Sequence, residues 1–251
     1  MASVFAVANQ KGGVAKTTTV LTLAVALAER GQRVLMVDLD PQACLTFSAG
    51  VDPETLPRSL YDVFVNRQDA GTVLTKVRDI HLLPANIDLA GAEVHLMTRA
   101  GREYALQRAL EPLKDNYDVV LIDCPPSLGI LTVIGLTAAD HVVVPLQCET
   151  LSQRGVGQLL ETIGDVRSYT NPRLGVLGIV ATLFDGRTKL SREVLDGVRD
   201  RYGIPVLDPP VPKSVKVAEA PGKGFSVIDH APRSSAADAY RRLAESLVAH
   251  D

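Results

Sequence analysis

Short apolar runs rich in β-branched residues alternate with longer amphipathic stretches along most of the 251-residue chain. Val4 to Ala8 is the first such run. A loop follows, then Thr17 to Arg30 carries helical spacing and stops at Gly31, and RVLMVD from Arg33 to Asp38 is the second run. Strand, helix and strand in that order make one β-α-β unit. IHLLPA (80–85), DVVLID (118–123), HVVVPL (141–146) and LGVLGIVAT (174–182) read as further strands. All of these runs are apolar on both faces, as strands are when helices cover a sheet above and below. The pattern therefore predicts an α/β fold, a mostly parallel twisted sheet with helices on both faces. No repeat, low-complexity tract or Gly/Ser linker divides the chain, so residues 1–251 are read as a single domain. Periodicity is weakest from Asp52 to Asp79, where the least regular structure is expected. In the tail, Ala237, Tyr240, Leu243 and Leu247 recur at helical spacing, which predicts a helix packed on the domain.

Composition narrows the possible partners. The longest apolar candidate for a membrane span, Ile130 to Leu146, is broken by Asp140 and His141. Residues 20–28 imitate the apolar part of a signal peptide, but the apolar run Val4 to Ala8 already precedes Lys11 and Lys16, where a basic region should lead. Cys44, Cys124 and Cys148 are scattered and lack C-x-x-C spacing, so neither a disulfide framework nor a cysteine-rich metal site is indicated. A soluble, cytoplasmic protein without a membrane partner is the expectation. A net charge of −3 gives no general attraction to nucleic acid, so any such binding needs a local patch.

The chemistry concentrates in ANQKGGVAKTTT, residues 8–19. The phosphate-loop pattern G-x-x-x-x-G-K-[ST] wants glycines where this chain has Gln10 and Ala15. Even so, a strand ending in Gly12 and Gly13, with Lys16, Thr17 and Thr18 opening a helix, offers exposed N–H groups and the positive end of a helix dipole to an anion. In that pattern Lys16 reaches the outer phosphates of a nucleotide and the Thr17 hydroxyl binds magnesium. Should residue 15 need a positive φ, its alanine would cost about 1–2 kcal/mol of strain. VLMVDLDPQ sets Asp38 and Asp40 at the end of the second strand, and YDVVLIDCPPS sets Asp123 at the end of another. Carboxylates thus converge at the carboxyl edge of the sheet beside the loop, where an acid supports phosphate-bound magnesium. A second lysine, Lys11, is superfluous for a cradle within one subunit, but phosphoryl transfer gains from a cation supplied in trans.

KGGVAKTTT, VLMVDLDPQ, YDVVLIDCPPSLG, VPLQCE and VPKSVKVAEAP resemble, in this order, the ParA/Soj family of partition ATPases, part of the MinD/ParA group with a deviant Walker A loop. The resemblance runs from Val4 to about Leu247. It implies a P-loop NTPase-like fold, ATP and Mg2+ as cofactors, and an ATP-dependent homodimer. By position, Lys11 matches the lysine that reaches the partner's phosphates, and Gly12 matches the glycine that lets the subunits close. Gly13, Val14, Ala15, Lys16, Thr17 and Thr18 complete the nucleotide loop. Asp40 matches the acid that acts on the attacking water, and Asp123 matches the Walker B acid. Thr17, Asp38 and Asp123 form the expected metal set, and Lys11, Lys16 and Asp40 the expected catalytic set. Gln10 is a departure the family shares, whereas Ala15 replaces its usual glycine, so slowed hydrolysis is expected.

DNA binding rests on weaker ground. Between Arg187 and Lys216 there are seven basic against four acidic side chains, a pattern that a solvated surface would also produce. With the resemblance, Arg187, Lys189, Lys213 and Lys216 become the candidate contacts to nonspecific DNA. The implied function is chromosome or plasmid segregation on the nucleoid with a ParB-like partner. The alternative is an orphan relative, or a slow-hydrolysing nucleotide-switched scaffold, that positions another cargo. RGVGQLL (154–160) lacks the third glycine of a dinucleotide fingerprint and is read as ordinary helix.

Overall fold

The computed structural model describes residues 2–149 and 152–248. Eight strands form one sheet: β1 (Ser3–Val7), β2 (Val34–Asp38), β3 (Thr75–Val77), β4 (Ile80–Leu83), β5 (Val119–Asp123), β6 (His141–Gln147), β7 (Gly175–Thr182) and β8 (Val206–Leu207). Their order is β3-β4-β2-β5-β1-β6-β7-β8, and every pairing is parallel except that of β3 with β4. The helices are α1 (Lys16–Glu29), α2 (Cys44–Ser48), α3 (Leu60–Phe64), α4 (Leu89–Met97), α5 (Ala105–Leu110) and α6 (Ile130–Ala138). They continue with α7 (Ser152–Tyr169), α8 (Lys189–Tyr202), α9 (Val215–Glu219), α10 (Val227–His230) and α11 (Ser235–Val248).

Burial on both faces explains the continuous apolar runs. Phe5, Val7, Val34, Met36, Val119 and Leu121 pack into one core with α1, α10 and α11. The alternate residues, Val4, Ala6, Leu35, Val37, Val120 and Ile122, pack into a second core beneath α4 to α8. Period-two alternation is present in each strand, but both phases meet hydrocarbon. The six strands read from the sequence are β1, β2, β4, β5, β6 and β7. RGVGQLL lies in α7, and Ala237, Tyr240, Leu243 and Leu247 are the buried stripe of α11. From Asp52 to Asp79 the chain holds only α3, a single 3-10 turn at Ala70–Thr72 and β3.

Two strands were not read from the sequence. β3 spans three residues of partly exposed TKV on the sheet edge, and β8 spans two, so neither has a hydrophobic run long enough to register. Parallel pairing sets the β1–α1 loop between the ends of β5 and β6, because β1 has those strands as its neighbours. Val7 and Asp38 each face Asp123 across the ladder. The acids of two strands therefore arrive beside the loop without any long-range coincidence.

Candidate nucleotide-binding site

The loop from Ala8 to Thr17 wraps the N-terminus of α1. Gly13 has φ +76° and Ala15 has φ 63°, ψ 35°, so the loop turns twice through the left-handed region. Glycine does this freely and alanine does not. Ala15 is thus a strained residue, held because its carbonyl accepts the first helical bond from the Thr19 N–H at 2.9 Å. The other fixed point is Val14, which is buried and whose carbonyl accepts from the Thr182 hydroxyl at 3.0 Å. A Cβ built on Gly12 or Gly13 would meet nothing within 4 Å in this chain. The chain itself therefore imposes no size limit at Gly12.

Lys16 is buried, and its ammonium donates to the Lys11 carbonyl at 3.2 Å. Burial lowers its pKa, and Asp123 is the largest of the charges that oppose the fall. The Thr17 hydroxyl donates to Asp123 Oδ2 at 2.7 Å. Asp123 Oδ1 is buried and has no hydrogen-bond partner. An orphaned carboxylate oxygen beside a threonine hydroxyl at a helix N-terminus suits the water shell of a phosphate-bound magnesium. Among the described residues no group of three or more His, Cys, Asp or Glu side chains forms a metal cage, so the remaining ligands would be phosphate and water.

Asp38 does something different from Asp123. Its Oδ2 accepts from the Thr46 N–H at 2.8 Å and the Thr46 hydroxyl at 2.7 Å, and its Oδ1 accepts from the Asp40 N–H at 3.2 Å. The same Thr46 hydroxyl accepts from the Ala85 N–H at 3.0 Å, which ties α2 to the end of β4. Asp38 is therefore committed to positioning α2 and the Asp40 loop, one strand away from Thr17. Burial raises its pKa to about 7 in spite of those donors, and burial together with Asp38 raises Asp123 well above the carboxylate range. Asp40 is mostly buried and accepts from the Gln42 N–H at 2.9 Å.

Lys11 is engaged within its own chain. Its ammonium pairs with Glu149, just beyond β6, and its N–H donates to Asn9 Oδ1 at 3.0 Å. Asn9 in turn donates to the Pro145 carbonyl at 2.7 Å. Asn9, Thr46, Glu149 and Thr182 are site residues that sequence reasoning missed. Asn9 and Thr182 could have been found as polar residues at the carboxyl ends of apolar runs.

The four candidate DNA contacts lie on segments that follow β7 and β8, at the same sheet edge as the loop. The Lys213 N–H donates to the Phe184 carbonyl at 3.1 Å, which draws its loop against the Arg187 loop. Arg187 grips Asp185 through Nε and Nη2 at 3.0 and 3.1 Å, and Lys213 also acts on Asp185 electrostatically. Lys189 pairs with Glu193 and Lys216 with Glu219, each at 3.1 Å. Arg187 and Lys189 are over nine-tenths exposed, so these pairs are weak and open to exchange.

A glycine-containing loop between a central parallel strand and a helix, with a Lys-Thr pair facing an acid on the next strand, defines a P-loop nucleotide-binding protein. Residues 2–176 match the AAA domain family model. The chain is 48% identical over 244 residues to the chromosome-partitioning ATPase Soj of Thermus thermophilus, covering 97% of this chain and 94% of that protein. It is 41% identical over 252 residues to the sporulation initiation inhibitor protein Soj of Bacillus subtilis, covering 100% of both. It thus belongs to the Soj/ParA family of ATPases. A crystal structure described as cobyrinic acid a,c-diamide synthase from Mycobacterium smegmatis, with an ATP analog and magnesium bound, is 55% identical and superimposes with a TM-score of 0.90. That match covers 100% of this chain and 96% of the other. No helix among the described residues is long and apolar enough to cross a membrane.

Proposed function

We propose that this chain is a DNA-partition ATPase that binds Mg-ATP in the 11–18 loop, closes into a homodimer, and in that state holds nonspecific DNA on the nucleoid. The observation that carries the reading is the Thr17–Asp123 pair with its orphaned oxygen, set beside two loop lysines. In this reading Lys16 leaves the Lys11 carbonyl for the β- and γ-phosphates, and Thr17 and Asp123 would hold a magnesium that, when bound, would supply charge neutralisation at the phosphates. Asp40 positions the attacking water, and Lys11 leaves Glu149 to meet the partner's phosphates. Arg187, Lys189, Lys213 and Lys216, doubled in the dimer, supply the phosphate contacts to DNA. A DNA-bound ParB-like protein is the proposed stimulator of hydrolysis.

The test is binding of Asp40→Ala protein to random duplex DNA with ATP or ADP across a salt series. Tight binding with ATP alone, lost as salt rises and weakened in Arg187→Ala or Lys216→Ala, is the expected outcome. An ATP dimer that ignores DNA at every salt concentration would overturn the DNA role and leave a positioning relative with another cargo.

The 55%-identical structure brings in a second reading, ATP-driven amide synthesis. The described residues offer little to it. Cys124 and Cys148 are buried, with thiols pushed up by burial, and His81, His95, His141 and His230 are engaged with Tyr117, Gly91, Phe5 and Glu219. Cys44 is exposed, with its thiol raised by partial burial and by the Asp40 charge, and among the described residues no hydrogen bond joins a thiol to an imidazole to release ammonia from glutamine. ATP turnover dependent on cobyrinic acid and glutamine would restore that reading.

A further inference from the structure

We propose that His230 is a positioning residue for the DNA contact Lys216, acting through Glu219 and tightening DNA binding when its imidazole takes up a proton. The inference rests on the DNA reading above and adds its regulation. Glu219 Oε2 accepts from Lys216 Nζ at 3.1 Å and lies 3.0 Å from His230 Nε2. A carboxylate only accepts, so the imidazole is the second donor. Both donors hold Glu219 below the usual carboxylate range, His230 the more strongly, which keeps it ionised. One oxygen thus serves two donors from different elements, Lys216 on α9 and His230 at the end of α10. They are not equally free to leave. The Lys216 side chain is 55% exposed, whereas that of His230 is 12% exposed.

Protonation of the ring changes the balance. Two cations on one carboxylate repel each other, and the lysine, on its flexible four-carbon stem, is the one that swings out to solvent and to DNA. Glu219 is then neutralised by the ring beside it and no longer repels a nearby phosphate. Both effects strengthen DNA binding as pH falls, and histidine is the side chain whose charge changes between about pH 5 and 8. The surrounding charges leave Glu219 as the carboxylate that His230 answers to. α10 packs against α1, α9 and α11. On and beside those helices Lys16 is held at the nucleotide loop, Glu29 and Asp238 pair with Arg241, Arg30 with Glu245, and Arg242 with Asp208. Asp229, next to His230, is committed to Arg78 and Ser226, and Lys223 acts on Glu219 itself.

The experiment uses the full chain carrying Asp40→Ala, with ATP and random duplex DNA at fixed ionic strength. Between about pH 8 and about pH 5.5 this protein is expected to tighten on DNA by about two- to thirtyfold, one pair being released per subunit of the dimer. His230→Gln, which can still donate to Glu219 but does not titrate, should lose that gain. Glu219→Gln should bind tightly at both pH values. An NMR titration of the His230 ring reads the coupling without DNA: Lys216→Ala should raise its midpoint and Glu219→Gln should lower it. A midpoint that Lys216→Ala leaves in place, or a pH gain that survives in His230→Gln, overturns the inference and leaves the DNA reading standing. If the midpoints move as expected but Lys216→Ala binds DNA as tightly as its parent, the DNA role of Lys216 falls and takes the inference with it.

Discussion

Ala15 carries backbone strain in this site, and Asp38 carries a carboxyl shifted by burial. Ala15 sits at φ 63°, where a side chain costs about 1–2 kcal/mol, while a glycine there would lose about 0.5–1 kcal/mol to greater freedom in the unfolded chain. Ala15→Gly is therefore expected to raise stability by no more than about 1.5 kcal/mol in a denaturant melt. If the strain is also a brake on loop rearrangement, the same variant turns over ATP faster, and an unchanged rate removes the proposed brake. Asp38 carries a sign that can be worked out. Its pKa stands at about 7 in the folded chain against 3.8 as the ordinary value, so the folded state holds the extra proton. Stability from this group is fully present below about pH 4 and is lost as pH rises to about 7, a few kcal/mol at most. Wild type melted beside Asp38→Asn, without nucleotide, should show a stability difference that moves against wild type across that window. Saturating Mg-ATP should shrink the effect, because a nearby cation favours the ionised pair of Asp38 and Asp123.

Elements differ in how openly the sequence announces them. The central strands and α11 were legible because each buries a long periodic or continuous apolar set, and the phosphate loop was legible because its spacing is fixed by chemistry. β3, β8 and the Asp38–Thr46–Ala85 link were not, since they rest on two or three residues whose partners lie far away in sequence. The positive φ at Ala15 was foreseen only as a condition, because the residue type argues against the conformation that the loop enforces. α11 also supports the site from behind. Tyr240, fully buried on that helix, shares a hydrogen bond of 3.1 Å with Thr19 on α1, three residues after Lys16. Tyr240→Phe keeps the packing but strands the Thr19 hydroxyl, which should cost about 1–2 kcal/mol in a thermal or denaturant melt. ATP affinity should change less than about twofold, because Lys16 and Thr17 are held by the loop and by Asp123. A large loss of affinity with little loss of stability would show that α11 sets the register of α1.

At the scale of the whole molecule, the proposed dimer requires two lysines already engaged within one chain to act across two. Lys11 is paired with Glu149, and Lys16 with the Lys11 carbonyl, so in the proposed dimer both lysines would exchange contacts within the chain for phosphates. Lys11 is about one-third exposed and Glu149 about half, which places the ion pair among surface pairs worth roughly 0.2–1 kcal/mol. A latch this weak cannot forbid dimerisation, but it can bias it. If Lys11 exchanges Glu149 for the partner's phosphates, two latches open per dimer, and Glu149→Gln should tighten the ATP dimer by about two- to thirtyfold. Sedimentation across a concentration series, with ATP and with ADP, measures this directly in an Asp40→Ala background, chosen because the proposed role of Asp40 would slow turnover. Glu149→Asp should restore the wild-type constant, since it keeps the charge that holds Lys11. The opposite result, a weaker ATP dimer in Glu149→Gln, would mean that Glu149 itself meets the partner subunit. The pair with Lys11 would then be a resting contact with no hold over assembly.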